Sequence, residues 1–145
     1  MKYITKNSKQ TMLLGQKLAK NITQGGCFGL VGDLGAGKTC FTKGIALGLG
    51  IKKNITSPTF VLMRVYPAKH KHIKQLVHLD AYRLEKAVSL TAIGLDDYLN
   101  DNKTLILVEW ANKVPAVIKN KKNVIKFKHL KESREIVIPK VFSAL

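Results

Sequence analysis

Apolar residues recur along the chain with two distinct periods. After Ser8, a plausible N-cap, Leu14, Leu18 and Ile22 are spaced by four, which predicts a helix with one apolar stripe, closed by Gly25-Gly26. Cys27 to Val31 is a short apolar run between turn signals and predicts a buried strand. A glycine-rich turn follows, and then a helix from about Lys38 carrying Phe41, Ile45 and Leu49 on one face, with Gly50 as its stop.

Ile55 to Phe60 reads as a loop, because the residue before Pro58 avoids helical angles. Strands are predicted at Val61 to Tyr66 and at Gln75 to Asp80, joined by a basic loop. Helical spacing covers Glu85 to Leu99 and breaks near Gly94. Thr104 to Val108 is apolar on both faces, as a central strand must be. Val124 to Leu130 and Arg134 to Ile138 alternate around a polar turn and predict a C-terminal hairpin. Helices alternating with strands indicate an α/β fold: a mostly parallel central sheet flanked by helices, with antiparallel strands added. At 145 residues, residues 1–145 are expected to form a single domain.

Composition narrows the setting. No run approaches the roughly 20 apolar residues of a membrane span, and no apolar leader opens the chain, so a cytoplasmic protein is expected. Cys27 and Cys40 sit among apolar residues and read as buried, reduced thiols. The net charge of +16 comes from 25 basic and 9 acidic residues. Most of the basic residues are lysines scattered along the chain, which fits solvated faces and also leaves an RNA-facing surface open.

The chemistry centres on Gly32-Asp-Leu-Gly-Ala-Gly-Lys38-Thr39, which fits G-x-x-x-x-G-K-[ST] at every fixed position. Glycines let the backbone bend so that amides of Leu34, Gly35, Ala36, Gly37, Lys38 and Thr39 can face phosphate oxygens. The helix behind adds the positive end of its dipole. Lys38 would reach the β and γ phosphates of a nucleotide, and the Thr39 hydroxyl would take a place on Mg²⁺. Two acids end strands where such a site needs them, Asp80 and Glu109. Each would hold Mg²⁺ directly or through water, or orient the attacking water. Thr59 sits where a switch segment offers a hydroxyl near the γ-phosphate. Trp110 reads either as core packing or as a wall beside the nucleotide. His78 shares a strand face with Asp80 and would pack or orient that acid. His70 and His72 read as solvated.

These residues together resemble the TsaE (YjeE) family of small P-loop ATPases. The resemblance runs through Thr11 with Leu14-Gly15, the glycine turn, Ser57-Pro-Thr-Phe60, His78-Leu-Asp80-Ala-Tyr82-Arg83-Leu84, Gly94-Leu-Asp-Asp-Tyr98-Leu99 and Val108-Glu109-Trp110. It implies a P-loop NTPase fold and an ATPase subunit needed for N6-threonylcarbamoyladenosine at adenosine 37 of tRNA, supporting turnover of a TsaB–TsaD transfer pair. It also implies Lys38 on phosphates, Thr39 and Glu109 on Mg²⁺, Asp80 in hydrolysis, Thr59 as the switch threonine, and Thr11 and Arg134 near the base. Cys40 and Ala111 depart from the family pattern, where threonine and proline are usual. A small nucleotide kinase and a non-enzymatic nucleotide-gated binding module are the alternatives. The chain has only three arginines and little room for the lid a kinase needs.

Overall fold

Apolar residues on both faces of the central strands must be covered on both sides, and this sets the architecture. The computed structural model describes residues 1–56, 63–84, 92, 94–118, 120 and 122–143. Its elements are β1 (Lys2–Thr5), α1 (Ser8–Lys20), β2 (Gly26–Val31), α2 (Lys38–Gly48), β3 (Met63–Pro67), β4 (Gln75–Asp80), α3 (Asp96–Leu99), β5 (Thr104–Glu109), β6 (Val124–His129), β7 (Arg134–Val137) and α4 (Lys140–Ser143). Two 3₁₀ turns, Ala111–Lys113 and Pro115–Val117, follow β5.

Among the described residues the strands form one seven-stranded sheet in the order β1-β7-β6-β2-β5-β4-β3. The central strands β6, β2, β5 and β4 run parallel. β3 is antiparallel to β4, and β7 to both β6 and β1. The expected parallel centre, antiparallel additions and C-terminal hairpin are all present. Every residue of β5 is buried, as a strand covered on both faces requires. Its alternate residues feed two cores: Leu105 and Leu107 join Phe28, Phe41 and Phe127 in one, and Ile106 and Val108 join Val77, Leu79 and Ile118 in the other. Edge-to-face aromatic pairs tie the first core together, Phe28–Phe142 at 4.6 Å and Phe41–Phe127 at 5.6 Å.

Several expectations change. β1 was not signalled by the sequence pattern: its four residues pair at the sheet margin with β7, too short a run to show an alternation. The N-cap of α1 is Asn7 rather than Ser8, with the Asn7 side chain accepting the Gln10 amide at 2.9 Å. The helix stops at Lys20, and Gly26 already belongs to β2. Its buried stripe is Thr11, Gly15 and Ala19, while Leu14 and Leu18 are half-buried. The reason is the approach of α2. A Cβ on Gly15 would lie 2.5 Å from the Phe41 carbonyl oxygen, and one on Gly44 2.0 Å from that of Met12. Both cysteines are free and half-buried rather than buried. The helical pattern over 85–99 falls mostly outside the described residues, of which α3 is the described end. Among the described residues no helix is long and apolar enough to cross a membrane.

Candidate functional site

Parallel strands deliver their carboxyl ends to one edge of the sheet, and the loops that follow β2, β4 and β5 meet there. A cavity of about 430 Å³ opens at this edge. Its walls include Leu34, Gly35, Gly37, Lys38, Thr39, Asp80, Glu109, Trp110 and Arg134.

The turn between β2 and α2 bends through left-handed residues, Gly35 at φ 76° and Gly37 at φ 103°. Gly37 is the N-cap of α2 and offers no side chain to the helix amides. The α2 N-terminus therefore lacks the side-chain oxygen that usually occupies its first amides. Leu34 stands exposed on the turn. Ala36 is buried, and its amide donates to the Asp33 carbonyl within the turn, so that amide is already engaged.

Lys38 opens α2 and is almost fully covered. Its ammonium folds back to donate to the carbonyls of Gly32 at 2.5 Å and Asp33 at 2.8 Å. The Nζ also lies 3.9 Å from the Trp110 ring centroid. Burial lowers the Lys38 pKa from its ordinary value, against the opposing pull of Glu109, Asp80 and Asp33.

Asp80 and Glu109 are register partners at the ends of β4 and β5. Thr39 Oγ1 donates to Glu109 Oε2 at 2.8 Å. Glu109 Oε1 lies 2.8 Å from His78 Nε2, and both side chains are buried. Of the two expectations for His78, packing holds, since the ring is completely buried, but the acid it orients is Glu109 rather than Asp80. Asp80 instead accepts the Tyr82 amide at 2.9 Å through Oδ1 and so shapes the turn leaving β4.

Trp110 both lines the cavity and packs against the second core, and it carries φ 58°, the one positive φ among the described residues other than glycine. Its ring lies 4.9 Å from that of Tyr82. Arg134, at the start of β7, lines the cavity and donates to Ser8 Oγ at 3.4 Å. Its buried Nε has no hydrogen-bond partner among the described residues. Thr11 does not line the cavity: its hydroxyl pairs with that of Thr5 at 2.8 Å, and its methyl backs Gly37. Thr59 lies outside the described residues.

The sequence reading did not single out Ser8, Tyr82 or Arg83 as lining residues, or Cys40. Tyr82 and Arg83 had a usable signal, since they directly follow an acid at a strand end. Ser8 and Cys40 had none, because their approach depends on how α1 meets α2; the Cys40 thiol donates to the Ser8 carbonyl at 2.9 Å. The site pairs an electropositive turn with two acids, an arrangement suited to a polyanion accompanied by a hard cation.

Comparison with known proteins agrees over nearly the whole chain. The family model described as "Threonylcarbamoyl adenosine biosynthesis protein TsaE" matches residues 5–136. A tRNA threonylcarbamoyladenosine biosynthesis protein TsaE from Treponema pallidum is 33% identical over 139 residues, covering 95% of this chain and 99% of that protein. The Bacillus subtilis protein of the same description is 39% identical over 112 residues, 77% of this chain and 67% of its relative. The crystal structure of Bacillus subtilis YdiB superposes with a TM-score of 0.76 at 30% identity, covering 98% of this chain and 90% of that one. The chain belongs to the TsaE family of threonylcarbamoyl adenosine biosynthesis proteins.

Proposed function

We propose that this protein is a P-loop ATPase subunit of tRNA modification. It binds and hydrolyses ATP with Mg²⁺ to let a TsaB–TsaD-like pair turn over as it forms N6-threonylcarbamoyladenosine at adenosine 37. The single sheet formed by the described residues supports reading residues 1–145 as one P-loop domain, and the proposed role places it in the cytoplasm. The observation that carries the proposal is the convergence of Lys38, the Thr39–Glu109 pair and Asp80 on one cavity at the carboxyl edge of the sheet.

The residues fit the absent groups. Thr39, Glu109 and Asp80 are oxygen donors, the ligand type magnesium prefers. The glycine turn, the α2 amides and Lys38 supply the complementary cradle for phosphate oxygens. Bound magnesium supplies neutralising charge across the triphosphate. The protein's own part is positional. Lys38 leaves its carbonyl partners to meet phosphate charge, and its partial desolvation strengthens that contact. Thr39 donates its O–H in a hydrogen bond to Glu109, which would leave the hydroxyl lone pairs for the cation. Asp80 orients a water and takes its proton. Trp110 and Tyr82 close one side of the cavity with apolar surface. The excess of lysine over acid in the chain favours tRNA close by.

Trp110 is the sole tryptophan of the chain, so its fluorescence reports on the cavity directly. ATP with Mg²⁺ should change that emission saturably, and TsaB- and TsaD-like partners should raise the rate of phosphate release. Emission indifferent to ATP, or a release rate unmoved by partners, would remove the proposal.

A further inference from the structure

We infer that His78 is a positioning residue that holds the Glu109 carboxylate in register for the cation; this rests on the reading of the cavity as a nucleotide–Mg²⁺ site. His78 lies in β4 between Val77 and Leu79 and is completely buried. A buried ring nitrogen without a partner costs stability, and a leucine would fill such a place without that cost. One nitrogen of this ring has a partner, Glu109 Oε1 at 2.8 Å. The other, Nδ1, is buried with no hydrogen-bond partner among the described residues. A carboxylate only accepts, so Nε2 carries a proton in this bond. The ring's polar function is spent on Glu109 alone.

Glu109 is thereby held at both oxygens, Oε1 by His78 and Oε2 by Thr39. That double hold has a specific consequence. Lys38 is a Coulombic neighbour of Glu109, yet no ion pair joins them among the described residues. A carboxylate released at Oε1 would be free to rotate and withdraw from Thr39. His78 keeps the acid on Thr39. Partners behind metal-binding groups commonly change metal affinity by about 10–100-fold when removed.

The test compares wild type with His78→Leu, which keeps apolar volume and loses the donor, and with His78→Gln, which restores an N–H at similar reach. Trp110 emission is followed as ATP is added without metal, and then as Mg²⁺ is added at fixed ATP. The Leu variant should need about tenfold more Mg²⁺ while its metal-free ATP affinity stays within about twofold, and the Gln variant should recover most of the loss. An unmoved Mg²⁺ midpoint, or equal losses with and without metal, overturns the inference. Nitrogen-15 NMR of the nucleotide-free protein tests the bond itself: His78 should be protonated at Nε2, and Glu109→Gln should shift both ring nitrogens. A ring protonated at Nδ1 alone overturns the inference even if the Leu variant fails to fold. Wild type that gives no ATP response while showing the Nε2 tautomer would instead refute the nucleotide reading of the cavity and leave the His78–Glu109 bond standing.

Discussion

Glycine is used twice in this molecule, for opposite reasons. In the turn before α2, a Cβ on Gly35 would meet nothing within 4 Å, but the residue sits at φ 76°. In the seam between α1 and α2, a Cβ on Gly44 would lie 2.0 Å from the Met12 carbonyl oxygen, and one on Gly48 2.6 Å from that of Gln16. The turn needs glycine for its dihedral freedom, and the seam needs it for its missing volume. The first shapes the cavity. The second decides where the helix behind the cavity stands. Damage to the turn should therefore appear as lost chemistry in a folded protein, and damage to the seam as lost folding with the chemistry of the surviving fraction intact.

Four substitutions or reactions separate the two regions. The largest effect is expected at the turn: Lys38→Ala should weaken ATP binding about a hundredfold, read by Trp110 emission, with little change in the unfolding midpoint. In the seam, Gly44→Ala should cost about 1–3 kcal/mol in urea unfolding while ATP affinity per folded molecule holds. A matched loss of affinity there would merge the two regions into one. Gly35→Ala adds an αL penalty of about 1–2 kcal/mol and no clash, so it should weaken both stability and binding mildly. The smallest effect concerns the thiols. Burial pushes Cys27 up to about 12, so it stays a neutral thiol at pH 8 and should resist alkylation. Cys40, on the cavity wall, should react, and ATP with Mg²⁺ should slow it. Mass spectrometry that found Cys27 alkylated first would contradict this ordering.

The sequence was most informative where one period or one motif dominates. β4 runs from Gln75 to Asp80 as alternation indicates, and β5 adds only Glu109 to the apolar run from Thr104. It was least informative where partners are distant in sequence. The stripe of α1 reads as Leu14 and Leu18, because bulk is the usual mark of burial, yet a close helix neighbour selects Gly15 and Ala19. The acid served by His78 could not be read before strand pairing was known. Asp80 is its near neighbour in sequence, but the parallel register of β4 and β5 brings Glu109 to the ring. Thr11 and the Thr5 hydroxyl meet only once β1 joins the sheet margin.

The order of strands has a consequence for how the protein is born. β2 carries the turn, but its neighbours in the sheet, β5 and β6, come from the second half of the chain. A nascent chain that has already delivered Lys38 and Thr39 still lacks Glu109, and it gains Arg134 later still. On the proposed reading, the grip on a nucleotide thus waits for strands made long after the turn, and a chain truncated before β5 should not bind it however well its first helices formed.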